Sequence, residues 1–252
     1  MLPFPFLSPW SRTDRSKAAA RLLTLGAKPL ADQPLRTTFA VFLAGFLTLA
    51  PAFSPGAKAQ DRAGVFDFYV LSLSWSPTFC SIDGSGRNEQ QCGGAADHGF
   101  IVHGLWPQFE RGYPEFCQNG EPGRVPRSVG ERMFDIMPSM GLIGHQWRKH
   151  GRCTGLTQRD YFARVREAFE RITLPSDLAR GETARTLSSE EIERKFMEAN
   201  PGLTRRGIAA SCERRQLKEI RICLTKDLRF RDCAEVDRNG CNASRITLPT
   251  IR

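Results

Sequence analysis

Apolar residues alternate with polar or small ones through the second half of residues 65–75, a segment that is also rich in aromatic side chains. A period of two is typical of a β-strand, so the pattern predicts a strand over Val65–Trp75. Phe100-Ile101-Val102 indicates the end of another strand. Gly and Pro are frequent in residues 111–130, and their frequency predicts a loop there.

Three later segments predict helices. Glu131–Met140 and Asp160–Ile172 both carry apolar residues at helical spacing. In the third segment, Ser188 and Glu191 have the spacing of a capping box, which predicts a helix that runs to about Ala199. The apolar face of the second helix comprises Phe162, Val165, Ala168 and Phe169.

The last part of the chain returns to strand-like runs. Gln216–Leu224 and Leu228–Cys233 are expected to form a hairpin that cysteines tie together. Strands combined with segregated helices predict an α+β fold. No internal repeat or long low-complexity linker divides residues 60–252, so we expect a single domain there.

An apolar run, Phe39–Ala50, follows Arg36 early in the sequence. At about a dozen residues the run is short for a membrane span and typical of the core of a signal peptide. Small residues around Ala59 predict cleavage between residues 59 and 60, which makes residues 1–59 a leader. Some 36 residues before the run are long for such a leader, so a translation start further in and an uncleaved anchor stay open.

All eight cysteines lie beyond the predicted leader. An even number in that position indicates a disulfide framework and an exported protein, either periplasmic or extracellular. Zinc binding is the alternative, but the sequence has no Cys-x-x-Cys pair and its closest cysteines are eight residues apart. The pattern therefore favours four disulfides and no metal, although spacing alone does not choose the pairing. The cysteines are Cys80, Cys92, Cys117, Cys153, Cys212, Cys223, Cys233 and Cys241.

The whole chain has a formal net charge of +9, which points to an anionic partner. Residues 1–59 hold seven Lys or Arg and two Asp or Glu, whereas residues 60–252 hold 29 and 25. The expected mature chain is thus only mildly basic, and its charge alone is weak support for a nucleic-acid partner. A hydrophobic content of 40% suffices for a core, so the chain need not be disordered.

The four histidines are His98, His103, His145 and His150, and the first two frame the predicted strand end. If residues 144–151 are helical, Gln146, Lys149 and His150 share one face, and Gly151 ends the helix. Two imidazoles and an ammonium group suit RNA cleavage by the 2′-hydroxyl without a metal. One imidazole takes the hydroxyl proton, the other gives a proton to the leaving 5′-oxygen, and the cation stabilises the transition state.

Less specific interpretations of these residues stay open. A lone histidine is more often structural than catalytic, and a Lys-His pair on a helix is usually a solvated face. A metal site fits poorly, because residues five apart lie about 140° apart around a helix. The zinc-binding His-Glu-x-x-His pair is spaced by four, unlike His145 and His150.

Two longer motifs resemble the ribonuclease T2 family. His103–Pro107, with the sequence His-Gly-Leu-Trp-Pro, resembles its first active-site segment. His145–Cys153 resembles the second, usually written His-Glu-Trp-x-Lys-His-Gly-x-Cys. Phe66–Cys80 is similar to the first strand of the family, and Cys212–Cys241 has the cysteine spacing of its tail. The resemblance spans most of residues 65–250.

The resemblance implies an antiparallel sheet core packed with helices and stapled by disulfides. It also implies endonucleolytic cleavage of single-stranded RNA through a 2′,3′-cyclic phosphate, often best at mildly acid pH. In that scheme His150 is the general base and His103 the general acid. His145 helps to hold the phosphate, and Lys149 stabilises the charged transition state.

Three further expectations follow from the resemblance. Trp106 and Gln108 are candidates for the base site. Gln146 stands where the family usually has glutamate, and an amide cannot raise the pKa of a neighbouring histidine by opposite charge. We therefore expect reduced activity with an altered pH profile. The implied disulfides are Cys80–Cys92, Cys117–Cys153, Cys212–Cys241 and Cys223–Cys233.

Three functions stay open at this point. An active ribonuclease is the first, and a catalytically weakened relative that binds RNA is the second, favoured by Gln146. The third is a secreted structural or inhibitory protein, which would not need both histidine segments. Because Arg148, Lys149 and Arg152 are expected to meet phosphates, RNA binding should weaken as salt rises. We expect a monomer with single-stranded RNA as partner, no cofactor and no stable membrane association after the leader is removed.

Overall fold

The structure is a computed structural model that describes residues 62–251 except positions 85, 87 and 94–97. The predicted leader, residues 1–59, lies outside the described residues. The expectation of one domain over residues 60–252 stays a prediction. Within the described ranges, no helix is both long enough and apolar enough to span a bilayer.

A mostly antiparallel sheet of six strands forms the centre of the fold. In chain order the strands are β1 (Phe68–Trp75), β2 (Phe100–Gln108), β3 (Arg185–Leu187), β4 (Ile208–Glu213), β5 (Gln216–Leu224) and β6 (Ile246–Leu248). Their order in the sheet is β2-β1-β5-β6-β3, with β4 also paired to β5, and the single parallel contact of the sheet joins β5 to β6. The fold class is therefore α+β, as the sequence predicted.

Helices of different lengths connect the strands. In chain order they are α1 (Ser76–Phe79), α2 (Glu89–Cys92), α3 (Arg127–Gly130), α4 (Met140–Lys149), α5 (Gln158–Glu170), α6 (Ser176–Ala179), α7 (Ser189–Ala199) and α8 (Ala234–Arg238). The three longest, α4, α5 and α7, pack on the sheet. Single 3-10 turns lie at Glu131–Met133, Gly151–Thr154 and Arg205–Gly207, and a π turn lies at Cys80–Gly84.

Strand β1 is buried along its whole length, because both of its faces are covered. Leu71 and Leu73 are completely buried in the main core, which also contains Trp147 of α4, Tyr161 of α5 and Phe196 of α7. The opposite face of β1 contributes Phe68 and Val70 to a second, smaller apolar cluster. The rest of that second face carries serines, and it is the face on which the candidate site lies.

Several sequence predictions are confirmed. The strand predicted at Val65–Trp75 corresponds to β1, and the helix predicted at Asp160–Ile172 corresponds to α5, which begins two residues earlier. Helix α7 begins with both hydrogen bonds of a capping box. The Ser188 side chain accepts from the Glu191 N–H, and the Glu191 carboxylate accepts from the Ser188 N–H.

The helix predicted over Glu131–Met140 is wrong. The chain makes only short turns there, and α4 begins where the predicted helix was expected to end. Pro138 has no N–H for a helical hydrogen bond, and Ser139 caps α4 by accepting from the Leu142 N–H at 3.4 Å. Ser139 marks the true start of the helix in the sequence, but the helical spacing of the apolar residues before it favoured an earlier start.

Two strand predictions and one helix end also need correction. Phe100-Ile101-Val102 begins a strand, β2, and does not end one. The hairpin partner of β5 is β4 and not the predicted segment 228–233. That segment makes only an isolated bridge to β5, between Phe230 and Leu224. Arg214 and Arg215, both at positive φ, form the turn, and arginine gives no sequence signal for that conformation. Gly151 does not end α4, because the left-handed glycine is Gly155 (φ 76°) after the 3-10 turn.

The eight cysteines form four disulfides in the pairing that the resemblance implies: Cys80–Cys92, Cys117–Cys153, Cys212–Cys241 and Cys223–Cys233. The Cys117–Cys153 bond ties the loop after β2 to the turn after α4. This places covalent restraint beside the second histidine segment.

We predict that Gly151→Ala destabilises the protein by about 1–3 kcal/mol, the usual effect of overpacking a core. A Cβ at this position would lie 2.5 Å from Trp147 Cε3 and 2.8 Å from Tyr161 Cε1, two rings that are completely buried. The measurement is the free energy of unfolding from urea denaturation of the purified protein.

Gly141→Ala is the matched control, since Gly141 lies in the first turn of α4 and its Cβ would meet nothing closer than Ser139 Oγ at 3.5 Å. Alanine should leave stability unchanged there, or raise it by up to about 1 kcal/mol through helix propensity. Equal unfolding free energies for the two variants would contradict the packing argument.

Candidate active site

A β-bulge in β2 directs His103 toward the middle of the sheet. Gly104 pairs with Ser72 of β1 and Val102 pairs with Leu73, so His103 is an extra residue without a partner in the ladder. A bulge changes the direction of a side chain and is frequent beside active sites. It also puts His103 and Gly104 on the same face of the strand.

The His103 ring reaches across β1 to a buried carboxylate on β5. Its Nδ1 lies 2.5 Å from Oε1 of Glu219, whose side chain is 3% exposed. Glu219 is opposite Ser74 of β1 in the ladder, and the small serine side chains leave the space that the ring crosses. With Nδ1–H donated to Glu219, the other ring nitrogen, Nε2, is left for a substrate.

Glu219 is ionised despite its burial. Desolvation opposes its charge, but the hydrogen bond and charge of His103 and the guanidinium of Arg221 together hold its pKa at about 2. Arg221 donates to Glu219 Oε2 from two nitrogens, at 2.9 and 3.1 Å. The same guanidinium lies 5.4 Å from the centre of the Trp106 ring. A buried carboxylate with two partly exposed partners thus connects the first histidine to the guanidinium beside the indole.

Trp106 joins the two sequence motifs. Its indole N–H donates to Oε1 of Gln146, on α4, at 2.7 Å. The ring stacks on His150 at 5.2 Å between centroids and meets His103 edge-on at 5.3 Å. Gly104 makes this approach possible, because a Cβ there would overlap both Gln146 Oε1 and Trp106 Nε1.

Helix α4 supplies the second group of polar side chains. Gln146 is 1% exposed, and Lys149 is the last residue of the helix. His150 caps the C-terminus and is buried, and its Nδ1 has no hydrogen-bond partner among the described residues. Burial is the main cause that lowers the pKa of His150 to about 3, and the positive charges of Lys149, His103 and His145 contribute to the same shift. Its imidazole is therefore neutral at neutral and mildly acid pH.

His145 and Lys149 complete the polar side chains that α4 contributes to the site. Burial lowers the pKa of His145, and the charges of Lys149, His103 and Arg148 act in the same direction. Lys149 Nζ lies 3.4 Å from the carboxylate of Glu115 and 5.9 Å from the centre of the Tyr113 ring. The ammonium group is thus held at the rim of the site by a partly exposed ion pair.

One cavity of about 350 Å³ brings together the residues that the sequence singled out. A second cavity, of about 340 Å³, also reaches His103 and His145 but is lined mainly by apolar atoms. His98 lines neither. The sequence-predicted residues in the first cavity are His103, Trp106, Gln108, His145, Gln146, Lys149 and His150.

Two of the three cations expected to meet phosphates point elsewhere. Arg152 donates to the side chains of Asn119 and Gln118, and Arg148 lines a different depression beside Gly123. Among the described residues, no group of three or more His, Cys, Asp or Glu is arranged to hold a metal ion.

Tyr113, Glu219 and Arg221 are among the cavity residues that the sequence analysis missed. Tyr113 lies in the Gly- and Pro-rich loop and is 45% exposed. Glu219 and Arg221 alternate with apolar residues on β5, a pattern that equally describes a solvated strand face. The sequence therefore held no signal that separated them from surface charge.

The comparisons with known proteins agree on one family. The sequence profile described as Ribonuclease T2 family matches residues 66–233. A ribonuclease from Aeromonas hydrophila is 35% identical over 191 residues, which cover 74% of this chain and 84% of that protein. A probable ribonuclease from Haemophilus influenzae is 31% identical over 69% of this chain and 63% of its own length.

The fold has the same relatives. The structure of an RNase-related protein from Calystegia sepium superposes with a TM-score of 0.58 at 20% identity, over 74% of this chain and 98% of that one. The matched profile covers both histidine segments and the whole of the cavity wall formed by β1, β2, α4 and β5. The chain therefore belongs to the ribonuclease T2 family, a family of enzymes that cleave RNA.

Proposed function

We propose that this protein is a metal-independent endoribonuclease that cleaves single-stranded RNA by transphosphorylation through a 2′,3′-cyclic phosphate. His150 is the general base and takes the proton of the 2′-hydroxyl. His103 is the general acid and protonates the leaving 5′-oxygen. The observation that carries the proposal is that one cavity holds both imidazoles, with a neutral ring at 150 and a carboxylate-bound ring at 103.

The environments of the two rings support this division of roles. A general base must be unprotonated before the reaction, and the low pKa of His150 keeps it so down to acid pH. A general acid must present an N–H to the leaving oxygen, and a carboxylate that accepts from one ring nitrogen leaves the other nitrogen for that role. Glu219 supplies that carboxylate to His103.

The remaining cavity residues suit a phosphate with two nucleosides. Lys149 provides positive charge and His145 provides a hydrogen-bond donor for the phosphorane-like transition state. Gln146 accepts from Trp106 through Oε1, which leaves its NH₂ group as a neutral donor in the cavity. The two cavities that meet at His103 and His145 would hold the nucleosides on either side of the phosphate, with Trp106 at a base site.

Single-stranded substrates follow from this arrangement, because a base must leave a duplex before it can stack on an aromatic side chain. We also propose that the protein acts outside the cytoplasm, in the periplasm or the medium. The disulfides and the predicted signal peptide support that location.

The first test replaces each histidine by alanine. His103→Ala and His150→Ala should each lower kcat/KM on single-stranded RNA by about 10²–10⁴-fold, the range typical of general acid–base catalysis. His98→Ala is the matched control, because His98 lies outside the cavity, and it should retain full activity. Cleavage is followed in EDTA, with detection of 2′,3′-cyclic phosphate ends.

A weakened RNA-binding protein is the alternative, and Gln146 is the observation that favours it. It would bind single-stranded RNA in this assay without producing cyclic-phosphate ends. Loss of all cleavage on addition of EDTA would contradict the metal-independent mechanism.

The second test is Gln146→Glu, measured as kcat/KM across pH 4–8. For the native protein, the low pKa of His150 predicts no fall in kcat/KM from loss of the base between pH 7 and pH 4. A carboxylate at position 146 would favour the protonated form of His150 and raise its pKa, so the acid limb should move into this range. Near neutral pH we expect a gain of about fivefold, roughly 1 kcal/mol from a charge-assisted hydrogen bond.

Gln108→Glu is the matched control, since it adds the same charge at another position of the cavity wall. It should leave the acid limb unchanged. No gain at any pH in Gln146→Glu would show that the amide does not limit the activity.

A further inference from the structure

We propose that Glu219 is a positioning residue for the general acid. Its buried carboxylate fixes the His103 ring through Nδ1–H, so that Nε2–H is presented to the leaving 5′-oxygen. The inference rests on the proposed function, because it assigns Glu219 a role only through His103.

The geometry separates Glu219 from an ordinary ion-pair residue. Both carboxylate oxygens are used, Oε1 by His103 and Oε2 by Arg221, and the side chain is 3% exposed. Only the carboxylate is buried, since the side chains of His103 and Arg221 are 34% and 32% exposed. Burial of a charge opposes folding, so a stabilising ion pair alone does not account for this placement. The bulge in β2 and the serines of β1 leave the His103 ring the room to reach this carboxylate.

Glu219 neither gains nor loses a proton in the proposed reaction. The P–O2′ bond forms and the P–O5′ bond breaks, the 2′-hydroxyl proton goes to His150, and the Nε2 proton of His103 goes to O5′. His103 ends as a neutral ring that still donates Nδ1–H to Glu219. Without an acceptor at Nδ1, the neutral ring could hold its proton on either nitrogen, and its orientation would no longer be fixed.

Glu219 keeps its charge over the pH range of the reaction, since its pKa lies at about 2. Other titratable and charged groups lie around His103 and Glu219 and contribute to the pH dependence of the reaction. The titratable and charged groups that line the two cavities around His103 and Glu219 are Lys218 and Arg221 of β5, His145, Lys149 and His150 of the α4 segment, Glu213 of β4, Glu235 of α8, Tyr113 and Asp83.

The test compares two substrates that differ only in the leaving group. UpU needs a proton on its leaving 5′-oxygen, whereas uridine 3′-(4-nitrophenyl phosphate) releases a stable nitrophenolate and needs none. Glu219→Gln keeps the size and an acceptor oxygen but removes the charge. It should lower kcat on UpU roughly 10- to 100-fold, the range seen when partners that orient a histidine are removed. On the nitrophenyl substrate kcat should change by less than about twofold, because the general acid is not used there.

Two more variants complete the design. His103→Ala should show the same dependence on the leaving group, and Glu219→Gln should have no further effect in the His103→Ala background. Glu219→Asp keeps the charge and should give an intermediate loss with the same dependence. The ratio of kcat values on the two substrates does not depend on the fraction of folded enzyme, so partial unfolding does not obscure the result.

Glu193→Gln is the matched control. Glu193 is equally buried, at 2% exposure, and accepts from the Ala210 N–H of β4, away from the cavity. Its substitution should leave the ratio unchanged. An equal loss on both substrates for Glu219→Gln, or an additive loss in the double variant, would overturn the positioning role. Full activity of His103→Ala on UpU would instead overturn the proposed function itself.

Discussion

The close approach of strand β2 to helix α4 at Gly104 is the constraint on which the site depends. The two elements come from sequence segments about forty residues apart, and here the Gln146 side chain of α4 lies against the backbone of Gly104. No side chain can stand at position 104, since even a Cβ would overlap Gln146 and Trp106. Trp106 fills the remaining space and contacts both His103 and His150. A single ring therefore sets the positions of two imidazoles from different elements.

The same packing gives two chemically identical side chains opposite environments. His150 stacks on the indole, its Nδ1 has no hydrogen-bond partner in the described part of the chain, and its burial favours the neutral ring. His103 is one-third exposed and rests on an ionised carboxylate. An acid–base pair requires two groups in different environments, and here one ring is buried while the other is hydrogen-bonded to a carboxylate. In this protein the difference is produced by the fold, since the ring of His150 follows a helix end and that of His103 follows a strand bulge.

The sequence predicted the parts of this arrangement that are local. The alternation of β1, the capping box of Ser188 and the two histidine motifs are patterns within ten residues or so, and each corresponds to what the structure contains. The bulge at His103 could not be predicted, because it is defined by the partner strand. Glu219 could not be assigned either, since a charged residue between apolar ones on a strand is typical of a surface. Its burial depends on the serines of a neighbouring strand that is distant in sequence.

The glutamine at position 146 changes the electrostatics of the base more than its geometry. The amide oxygen accepts from Trp106 just as a carboxylate oxygen would, so the indole and the His150 ring beneath it keep their places. After burial, the groups that act on the pKa of His150 are all cations: Lys149, His103 and His145. A carboxylate at 146 would offset them, and the amide does not. The base consequently stays neutral at lower pH but attracts the 2′-hydroxyl proton less strongly. With glutamine in place of the family's usual glutamate, His150 therefore has a lower proton affinity but stays available as a base at lower pH.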